Sequence, residues 1–509
     1  MPNELLVSRL AGRVATALRE DGEVVELRVE DGGDEPAVGD VYKGRVSRVL
    51  PGIQAAFVDL GRGPDAFLHA ADLHLPGETL PEAASATEDE TEGEDDAEVP
   101  RRSVRRLEGR PPIQDRLREG REIVIQLARG SFGGKGPRVT SFASLPGHYL
   151  VYAPLVPFRG VSKRVTDDAE RERLREILRR LAPPGAGFIV RTAGQGVSEE
   201  AFHEDAARLQ AEWSRIQELA SAAGAPVPLH RESGLFLRAL RDAPRLPIDA
   251  IVVDDPDLLE EGRRFLSGLD PALAGRLRAH EGPGALFDDE RIDAEIERAL
   301  RPRVWLPSGG TVVIEPTEAL VSIDVNTGKN VGTARPEDTI LRTNLEAAHE
   351  IARQLRLRDL GGIIVVDFID MERPEHRTRV VEAFTEALRR DPARTKVVGL
   401  SELGLLQLTR KRTRMGLRGS LTDACAVCTG TGRLKSADLT AHEALLEVRR
   451  LSAGLHPAEI RVRAHPEVAR VIRRSVQSPR VGLDAGVVSR LEVEDDPALP
   501  ADRFDVRAR

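Results

Sequence analysis

The chain has 509 residues, of which 40% are hydrophobic and 31% charged, so it is long enough for roughly three to five globular domains. No apolar run approaches the roughly 18 residues that a membrane-spanning helix needs, which excludes a protein that spans the membrane. The N-terminus lacks the apolar stretch of a secretory signal. Cys425 and Cys428 are the only cysteines, which excludes a disulfide-stapled secreted scaffold, and we expect a cytoplasmic protein.

One segment carries the acidic character of the chain. The formal charge is −9, and nine acidic residues with no Lys or Arg stand between Glu82 and Glu98. The rest of the chain is therefore close to neutral, and the charge balance does not argue against an anionic partner. The acidic stretch and the Arg-rich stretch that follows have almost no aromatic residues. We predict that residues 82–118 form a disordered insertion.

Short strands with Gly and Pro turns at residues 39–80, before this insertion, predict a small β-barrel. The strand at residues 123–127 follows the insertion and is expected to close the barrel. Phe57 and Phe67 lie on two of the earlier strands. Aromatic side chains exposed on a barrel can stack on single-stranded bases, but from the sequence alone we expect both in the barrel core.

The middle of the chain mixes strands and helices. We predict a strand at residues 149–152, a helix at 167–182, a strand at 187–191 and a helix at 199–223, with Ser198 as the N-cap of the last helix. Arg191 ends the second strand, and Thr192 follows it shortly before Gly194. An Arg beside a Thr at a strand end can bind a phosphate group, although the signal is weak in an Arg-rich chain. A further strand at 248–253 and a helix at 288–300 follow.

From residue 303 the pattern becomes α/β, and two apolar strands end in an aspartate. The strands at residues 319–324 and 363–367 end in Asp324 and Asp367, with helices predicted at 336–358 and 375–390. Because sites in open α/β sheets form at the carboxyl ends of strands, the two carboxylates could converge and bind Mg²⁺. Asn326 could then hold a water or a phosphate oxygen. The alternative is that both aspartates only cap the turns that follow them.

Cys425 and Cys428 are followed by Gly430 and Gly432, a spacing that suits a metal-binding turn. A structural zinc needs four ligands, and a twofold dimer would supply the missing pair of thiolates. A redox dithiol or two inert thiols are the alternatives.

Taken together, these motifs resemble the ribonuclease E/G family of endoribonucleases and, within it, the ribonuclease G type without a long C-terminal scaffold tail. The resemblance extends over almost the whole chain. The segments that carry it are Tyr42–Val46, Ala55–Asp59, Val190–Ala193, Ser322–Asn326, Val365–Met371 and Cys425–Gly432. The chain departs from the family pattern in its acidic insertion and in Ala426, where the family often has Pro.

The resemblance implies an activity and a set of site residues. The activity is Mg²⁺-dependent cleavage of single-stranded, A/U-rich RNA to 5′-phosphate and 3′-hydroxyl ends, in ribosomal RNA maturation and messenger RNA decay. Asp324 and Asp367 would hold Mg²⁺, and Asn326, the third catalytic residue, would support Asp324 or the scissile phosphate. The other implied sites are an RNA channel at Phe57, Phe67 and Lys135, a 5′-monophosphate sensor at Val151, Arg191, Thr192 and Arg394, and a zinc shared between two chains through Cys425 and Cys428.

The resemblance also implies a multidomain fold of α/β and β parts. Two chains would form a homodimer through the shared zinc, and two such dimers would form a dimer of dimers. The expected parts are an RNase H-like domain at 1–38 and 236–299, an OB-type barrel at 39–141, a 5′-sensor at 142–235, a DNase I-like catalytic domain at 300–421, a zinc link at 422–435 and a small α+β domain at 436–509. A non-catalytic RNA-binding or assembly protein is the competing hypothesis. The Asp324 and Asp367 pair distinguishes the two, because a pure binding protein has no need of carboxylates that face a phosphate.

Overall fold

The computed structural model has a mixed α/β fold, as the sequence predicts, and divides into two compact units at residues 1–421 and 422–509. No helix among the described residues is long and apolar enough to cross a membrane. The structure describes residues 2–30, 37–75, 111–131, 136–243, 248–267, 270–328, 336–401, 403–412, 416–455, 457–477 and 484–509.

The first sheet of the larger unit joins two distant parts of the chain. Its central strand, Glu4–Leu10, pairs antiparallel with Arg13–Glu20 and parallel with Ala250–Val253. In spatial order the strands are Leu277–Ala279, Ala250–Val253, Glu4–Leu10, Arg13–Glu20 and Glu23–Val29. In chain order, the helices of this part of the fold are Leu235–Asp242, Pro256–Ser267, Pro271–Ala274, Leu286–Asp289 and Ile292–Leu300. The single helix predicted at 288–300 is thus two, interrupted at Arg291, which has a positive φ of 57°.

The predicted barrel is present and closed. Glu122–Arg129 pairs with Val41–Leu50, which confirms that the strand after the insertion closes the barrel. The five strands, in order around the barrel, are Val41–Leu50, Ala55–Asp59, Ala66–His69, Arg138–Thr140 and Glu122–Arg129. Val227–His230 adds a sixth strand to the outside of Val41–Leu50. Such a closed five-stranded sheet is consistent with an OB-type domain.

The prediction of disorder over residues 82–118 is wrong at its C-terminal end. Residues 76–110 lie outside the described part of the chain, but Ile113–Arg116 forms a short helix against the barrel. Ile113 and Leu117 are buried in the barrel core, and Arg116 donates to the carbonyl oxygen of Leu73 at 2.9 Å. Two apolar side chains four residues apart gain enough from burial to order this part of a largely polar segment.

A four-stranded sheet follows the barrel, made of Arg159–Val161, Gly187–Val190, Leu150–Ala153 and Leu145–Pro146 in spatial order. The helices Asp168–Leu181 and Glu199–Ala222 contribute to its hydrophobic core. Ser198 is the N-cap of the second helix, because its Oγ accepts a hydrogen bond from the amide of Ala201 at 3.4 Å. This confirms the predicted helix start.

The third sheet has one covered face. The helices Pro336–Leu357 and Pro374–Leu388 share a hydrophobic core with it. Its strands, in spatial order, are Arg303–Trp305, Thr311–Pro316, Leu320–Asn326, Gly362–Asp367, Leu405–Arg410 and Thr395–Leu400. Only the pair in the middle, Leu320–Asn326 and Gly362–Asp367, is parallel. The short helix Leu417–Leu421 ends this unit.

The smaller unit begins with a loop that carries both cysteines and continues as a small α+β structure. Its hydrophobic core lies between its helices and a three-stranded sheet. The helices are Ala437–Leu455, Pro466–Val476 and Ala485–Val488, and the strands, in spatial order, are Leu491–Asp495, Ile460–Ala464 and Phe504–Ala508.

Candidate active site and nucleic-acid interface

Asp324 and Asp367 lie side by side on the open face of the third sheet. They are directly opposite each other in the parallel register of their two strands, and both side chains are exposed. Ile323, Val325 and Val366 are buried in the core on the other face. Because side chains alternate between the faces of a strand, burial of these neighbours sends both carboxylates outward. The predicted convergence of the two strand ends is therefore present.

Asn326 supports one of these carboxylates. Its Nδ2 donates to Oδ2 of Asp324 at 2.6 Å, which fixes the orientation of that side chain. The backbone around Asn326 is tightly packed, because a Cβ on Gly310 would lie 2.8 Å from the carbonyl oxygen of Asn326. Gly310 therefore allows the neighbouring turn to approach the strand end closely.

Asn344 is a positioning residue that the sequence did not reveal. It is completely buried in the helix Pro336–Leu357. Its Nδ2 donates to the carbonyl oxygen of Ile369 at 2.8 Å, and its Oδ1 accepts from the amide of Ile369 at 3.1 Å. These two hydrogen bonds hold the turn just after Asp367. A buried Asn on the apolar face of an amphipathic helix is the signal that could have indicated it.

The donor set at this site suits a hard divalent cation. Two adjacent carboxylates supply oxygen ligands, which Mg²⁺ prefers to combine with water and phosphate oxygens. Among the described residues, no group of three or more His, Cys, Asp or Glu side chains is arranged to hold a metal. A cation bound by Asp324 and Asp367 would therefore complete its coordination with water or a substrate.

Phe57 and Phe67 form an aromatic pair on the outer surface of the barrel. They are register partners on neighbouring strands, with ring centroids 6.0 Å apart and planes at 73°. Both rings are half-buried and lie outside the barrel core, so the expectation of a core position is wrong. Arg48 pairs with Phe57 in register and Arg138 pairs with Phe67, so an arginine flanks the aromatic pair on each side.

Two aromatic rings between two basic side chains in one cross-strand row are suited to bases and phosphates. Arg48 is exposed, whereas Arg138 also forms an ion pair with Asp72 at 2.5 Å. Sequence reasoning missed Arg48 and Arg138, because their place beside the rings depends on strand register. Lys135, the third predicted channel residue, lies outside the described residues.

Arg191 is the most buried of the polar residues in the predicted sensor, with 1% of its surface exposed. Its Nη1 donates to the carbonyl oxygens of Gly147 at 2.5 Å and His148 at 3.3 Å. Its Nη2 forms an ion pair with Asp242. The guanidinium is thus held in a fixed position by the fold itself.

The other predicted sensor residues have different environments. The Oγ1 of Thr192 lies 3.1 Å from Oγ of Ser162. Val151 is fully buried in a hydrophobic cluster, so its side chain contributes packing. Arg394 is exposed and immediately precedes the strand Thr395–Leu400 of the third sheet. Nearby, Arg164 donates to the carbonyl oxygen of Pro392 at 3.1 Å, so the second and third sheets approach each other close to Arg394.

Cys425 and Cys428 lie in a tight turn of the smaller unit. Cys425 is exposed and Cys428 is half-buried. The amide of Gly432 donates to Sγ of Cys428 at 3.3 Å. Hydrogen bonds from the amides of Gly432 and Gly430, and from the Cys425 side chain, lower the pKa of the Cys428 thiol. Amide donors that favour a thiolate suit a metal-binding turn, and two thiolates supply half of a tetrahedral zinc site.

Comparison with known proteins identifies the family. The family model described as "Ribonuclease E/G family" matches residues 144–413. Ribonuclease G of Escherichia coli (strain K12) is 36% identical over 506 residues, which cover 99% of each chain. Ribonuclease G of Haemophilus influenzae is also 36% identical, with the same coverage. The chain belongs to the ribonuclease E/G family.

Similarity to ribonuclease E covers less of that protein. Ribonuclease E of Escherichia coli (strain K12) is 39% identical over 422 residues, which are 82% of this chain and 38% of ribonuclease E. The ribonuclease E/G family match includes Asp324, Asp367 and Arg191, whereas the barrel pair and the two cysteines lie outside it. Family membership thus confirms the resemblance that the motifs indicated, while the roles of individual residues remain predictions.

Proposed function

We propose that this chain is a magnesium-dependent endoribonuclease that cleaves single-stranded, A/U-rich RNA and leaves 5′-phosphate and 3′-hydroxyl ends. Membership of the ribonuclease E/G family makes it an endoribonuclease. The position of Asp324 and Asp367, opposite each other on an open sheet face, is the observation that supports a reaction at this site. Ribosomal RNA maturation and messenger RNA decay are the proposed processes.

The proposed chemistry assigns a role to each residue at the strand ends. Asp324 and Asp367 would hold Mg²⁺, and Asn326 orients Asp324 through its 2.6 Å hydrogen bond. Bound Mg²⁺ would neutralise the charge that develops on the scissile phosphate and make a water molecule more acidic. Asn344 keeps the turn after Asp367 in place through its two bonds to Ile369. The exposed face leaves room for an RNA backbone to cross the two aspartates.

Substrate selection is proposed to depend on the barrel and the second sheet. The row of Arg48, Phe57, Phe67 and Arg138 would bind single-stranded RNA by stacking and phosphate contacts, with Lys135 as the third channel residue. Arg191, Thr192, Val151 and Arg394 would form the 5′-monophosphate sensor. The closeness of Arg164 to Pro392 supports a sensor built from both sheets.

The named subdomains follow the same proposal. The sheet of Glu4–Val29 and Ala250–Ala279 has three antiparallel strands followed by two parallel ones, an order that suits an RNase H-like domain. Residues 300–421 would be the DNase I-like catalytic domain. Residues 422–435 would be a zinc link that joins two chains, and two such dimers would associate.

The experiment that tests this function is cleavage of a short 5′-monophosphorylated, A/U-rich single-stranded RNA with and without Mg²⁺. We expect cleavage only with the metal, and products that carry 5′-phosphate and 3′-hydroxyl ends. Binding of this RNA without cleavage under both conditions would instead favour the non-catalytic RNA-binding protein. Cleavage that persists in EDTA would contradict the assignment of the two aspartates to a metal.

A further inference from the structure

Trp305 is an exposed aromatic residue on the same sheet face as the two aspartates. The chain has two tryptophans. Trp213 is 8% exposed within a hydrophobic core, whereas Trp305 is 68% exposed on the edge strand Arg303–Trp305. Between Arg303 and Trp305, Val304 packs against the core of the third sheet. Strand alternation therefore places Arg303 and Trp305 together on the open face.

Strand register relates these two side chains to the proposed active site. Arg303 pairs with Val313, which pairs with Asp324. Arg303 thus belongs to the same cross-strand row as both aspartates, two strands away from Asp324, or about 10 Å at the usual strand spacing. Trp305 pairs with Thr311 in the next row, and Thr311 pairs with Asn326.

The chemistry of this pair fits a nucleotide. A largely exposed indole leaves a large apolar surface in water, and such rings stack on unpaired bases. Among the described residues, Arg303 has no carboxylate partner, so its charge is available for a phosphate. A guanidinium and an indole two residues apart on one strand face can contact the phosphate and the base of the same strand of RNA.

We propose that Arg303 and Trp305 form a nucleotide subsite beside the active site, in which Trp305 stacks on an RNA base near the scissile bond and Arg303 binds a neighbouring phosphate. The inference rests on the proposed function, since it gives RNA a path across the open face. The ligand class is single-stranded RNA. The subsite extends the RNA path from the two aspartates toward the free edge of the sheet.

Tryptophan fluorescence tests this subsite separately from catalysis. In EDTA, where the proposed activity is absent, a single-stranded oligouridine is titrated into the protein. We expect RNA to quench the emission of Trp305 and to protect it from acrylamide. Trp305→Phe should remove the quenching and leave the emission of buried Trp213, whereas Trp213→Phe should keep the quenching.

Two outcomes of the titration would overturn the proposal. In the first, labelled RNA binds by anisotropy while the emission of Trp305 does not change, so RNA passes elsewhere. In the second, Trp305 of the free protein is already shielded from acrylamide, so a second copy of the chain covers this face. Neither outcome depends on RNA cleavage. If RNA quenches the emission of Trp305 in the wild-type protein but is not cleaved when Mg²⁺ is added, the subsite is supported and the proposed function is contradicted.

Binding and kinetic measurements give a second test. Removing one stacking ring typically lowers affinity by about 5- to 150-fold. We expect Trp305→Ala to lower RNA affinity and raise KM by such a factor, and Trp305→Phe to recover most of the loss. Val398→Ala is the matched control, since Val398 is similarly exposed on the opposite edge strand of the sheet. Equal losses in the Trp305→Ala and Val398→Ala variants would contradict a specific subsite.

Arg303→Ala tests the phosphate contact. RNA affinity is measured at several salt concentrations, and the logarithm of the binding constant is plotted against the logarithm of the salt concentration. For single-stranded RNA, loss of one phosphate contact should make this slope shallower by about 0.7. Arg303→Lys should restore most of the slope, because the charge is kept. An unchanged slope in Arg303→Ala would overturn the assignment of Arg303 to a phosphate.

Discussion

The ion pair between Arg191 and Asp242 joins the second sheet to the helix Leu235–Asp242, which belongs to the core of the first sheet. Arg191 has 1% of its side chain exposed and Asp242 has 38%. The same guanidinium donates to the carbonyl oxygens of Gly147 and His148. Arg191 therefore connects two parts of the fold as well as lying in the proposed sensor, and its removal is expected to affect both stability and sensing.

Thr192→Val separates sensing from stability. Thr192 is half-buried and bonded to Ser162, and valine keeps its shape while removing the hydroxyl donor. A hydrogen bond to a charged group contributes about 1.5–3 kcal/mol. This range of free energy corresponds to a change of roughly 10- to 150-fold. We therefore expect cleavage of 5′-monophosphorylated RNA to slow by that factor in this variant. Cleavage of 5′-hydroxyl RNA is the control and should not change. Equal slowing of both substrates would contradict the sensor.

Arg191→Ala should lower stability measurably. The substitution leaves Asp242 without this partner and two buried carbonyl oxygens without their donor. Because Asp242 is partly exposed to water, we expect a loss of about 1–3 kcal/mol in the free energy of unfolding. Urea titration measures this loss. An unchanged midpoint would mean that the ion pair does not connect the two parts of the fold as the structure indicates.

Asp367→Asn should abolish most of the activity while leaving the fold intact. Asp367 is exposed at a strand end, so the substitution removes a charge without opening a cavity. Loss of one metal-ligand charge is expected to raise the barrier by several kcal/mol, or to slow cleavage by about 100- to 1,000-fold. Glu315→Gln is the matched control, because Glu315 is exposed on the same sheet. Near-normal turnover of Asp367→Asn would falsify the catalytic assignment.

Several features of the fold and site could be predicted because they depend on neighbours in sequence. The apolar runs before Asp324 and Asp367 indicate buried strands, and the aspartates follow at their ends. The prediction that Phe57 lies in the barrel core is wrong because both faces of its strand carry apolar residues. Period-two alternation then does not show which face is outside. The partner of Arg191 could not be predicted, since Asp242 lies 51 residues away.

The Ile113 segment shows a different limit. Its average composition is polar and Arg-rich, which predicts disorder, yet Ile113 and Leu117 fill the barrel core. Two well-placed apolar side chains outweigh an average taken over a long window. Burial of such a pair depends on the barrel surface against which it packs. That surface is formed by residues distant in sequence, so the local sequence does not predict the burial.

Zinc should be present at about one ion per two chains, as a tetrahedral site shared by two pairs of thiolates requires. Cys428→Ser should release the metal and reduce the assembly to smaller species, as measured by metal analysis and sedimentation. Ala426→Ser is the control, because it alters the same loop and keeps both thiols. One zinc per chain, or an unchanged assembly in Cys428→Ser, would rule out a shared site.

Phe57→Ala and Phe67→Ala should each weaken RNA binding. A base stacked on an aromatic ring contributes about 1–3 kcal/mol, so each variant should lose roughly 5- to 150-fold in affinity, measured in EDTA by anisotropy of labelled RNA. Because the rings touch at 6.0 Å between centroids, the double variant should lose less than the sum. Ile53→Ala is the control on an exposed barrel turn. A loss as large in the control would show that the rings have no special role.

His148 connects the proposed sensor to the pH dependence of stability. The residue is buried, and its ring lies 4.3 Å from that of Tyr149 between centroids. Burial lowers the pKa of His148 from 6.5 to about 4. The charges of Asp205 and Asp270 act in the opposite direction, and those of Arg191 and Arg208 add to the effect of burial. His148 is therefore neutral in the folded protein throughout the physiological range.

This lowered pKa should make the protein less stable as the pH falls. Above about pH 6.5 the ring is neutral in both the folded and the unfolded chain. Between pH 6.5 and about 4 the unfolded chain binds a proton that the folded protein does not, so the free energy of unfolding decreases as the pH drops, by up to about 3 kcal/mol. His148→Gln should flatten this decrease in urea titrations at pH 7.5 and pH 5. His349→Gln is the control, because it replaces an exposed histidine on the helix Pro336–Leu357. If wild type and His148→Gln lost the same stability between the two pH values, the acid sensitivity would come from other groups and His148 would have no part in it.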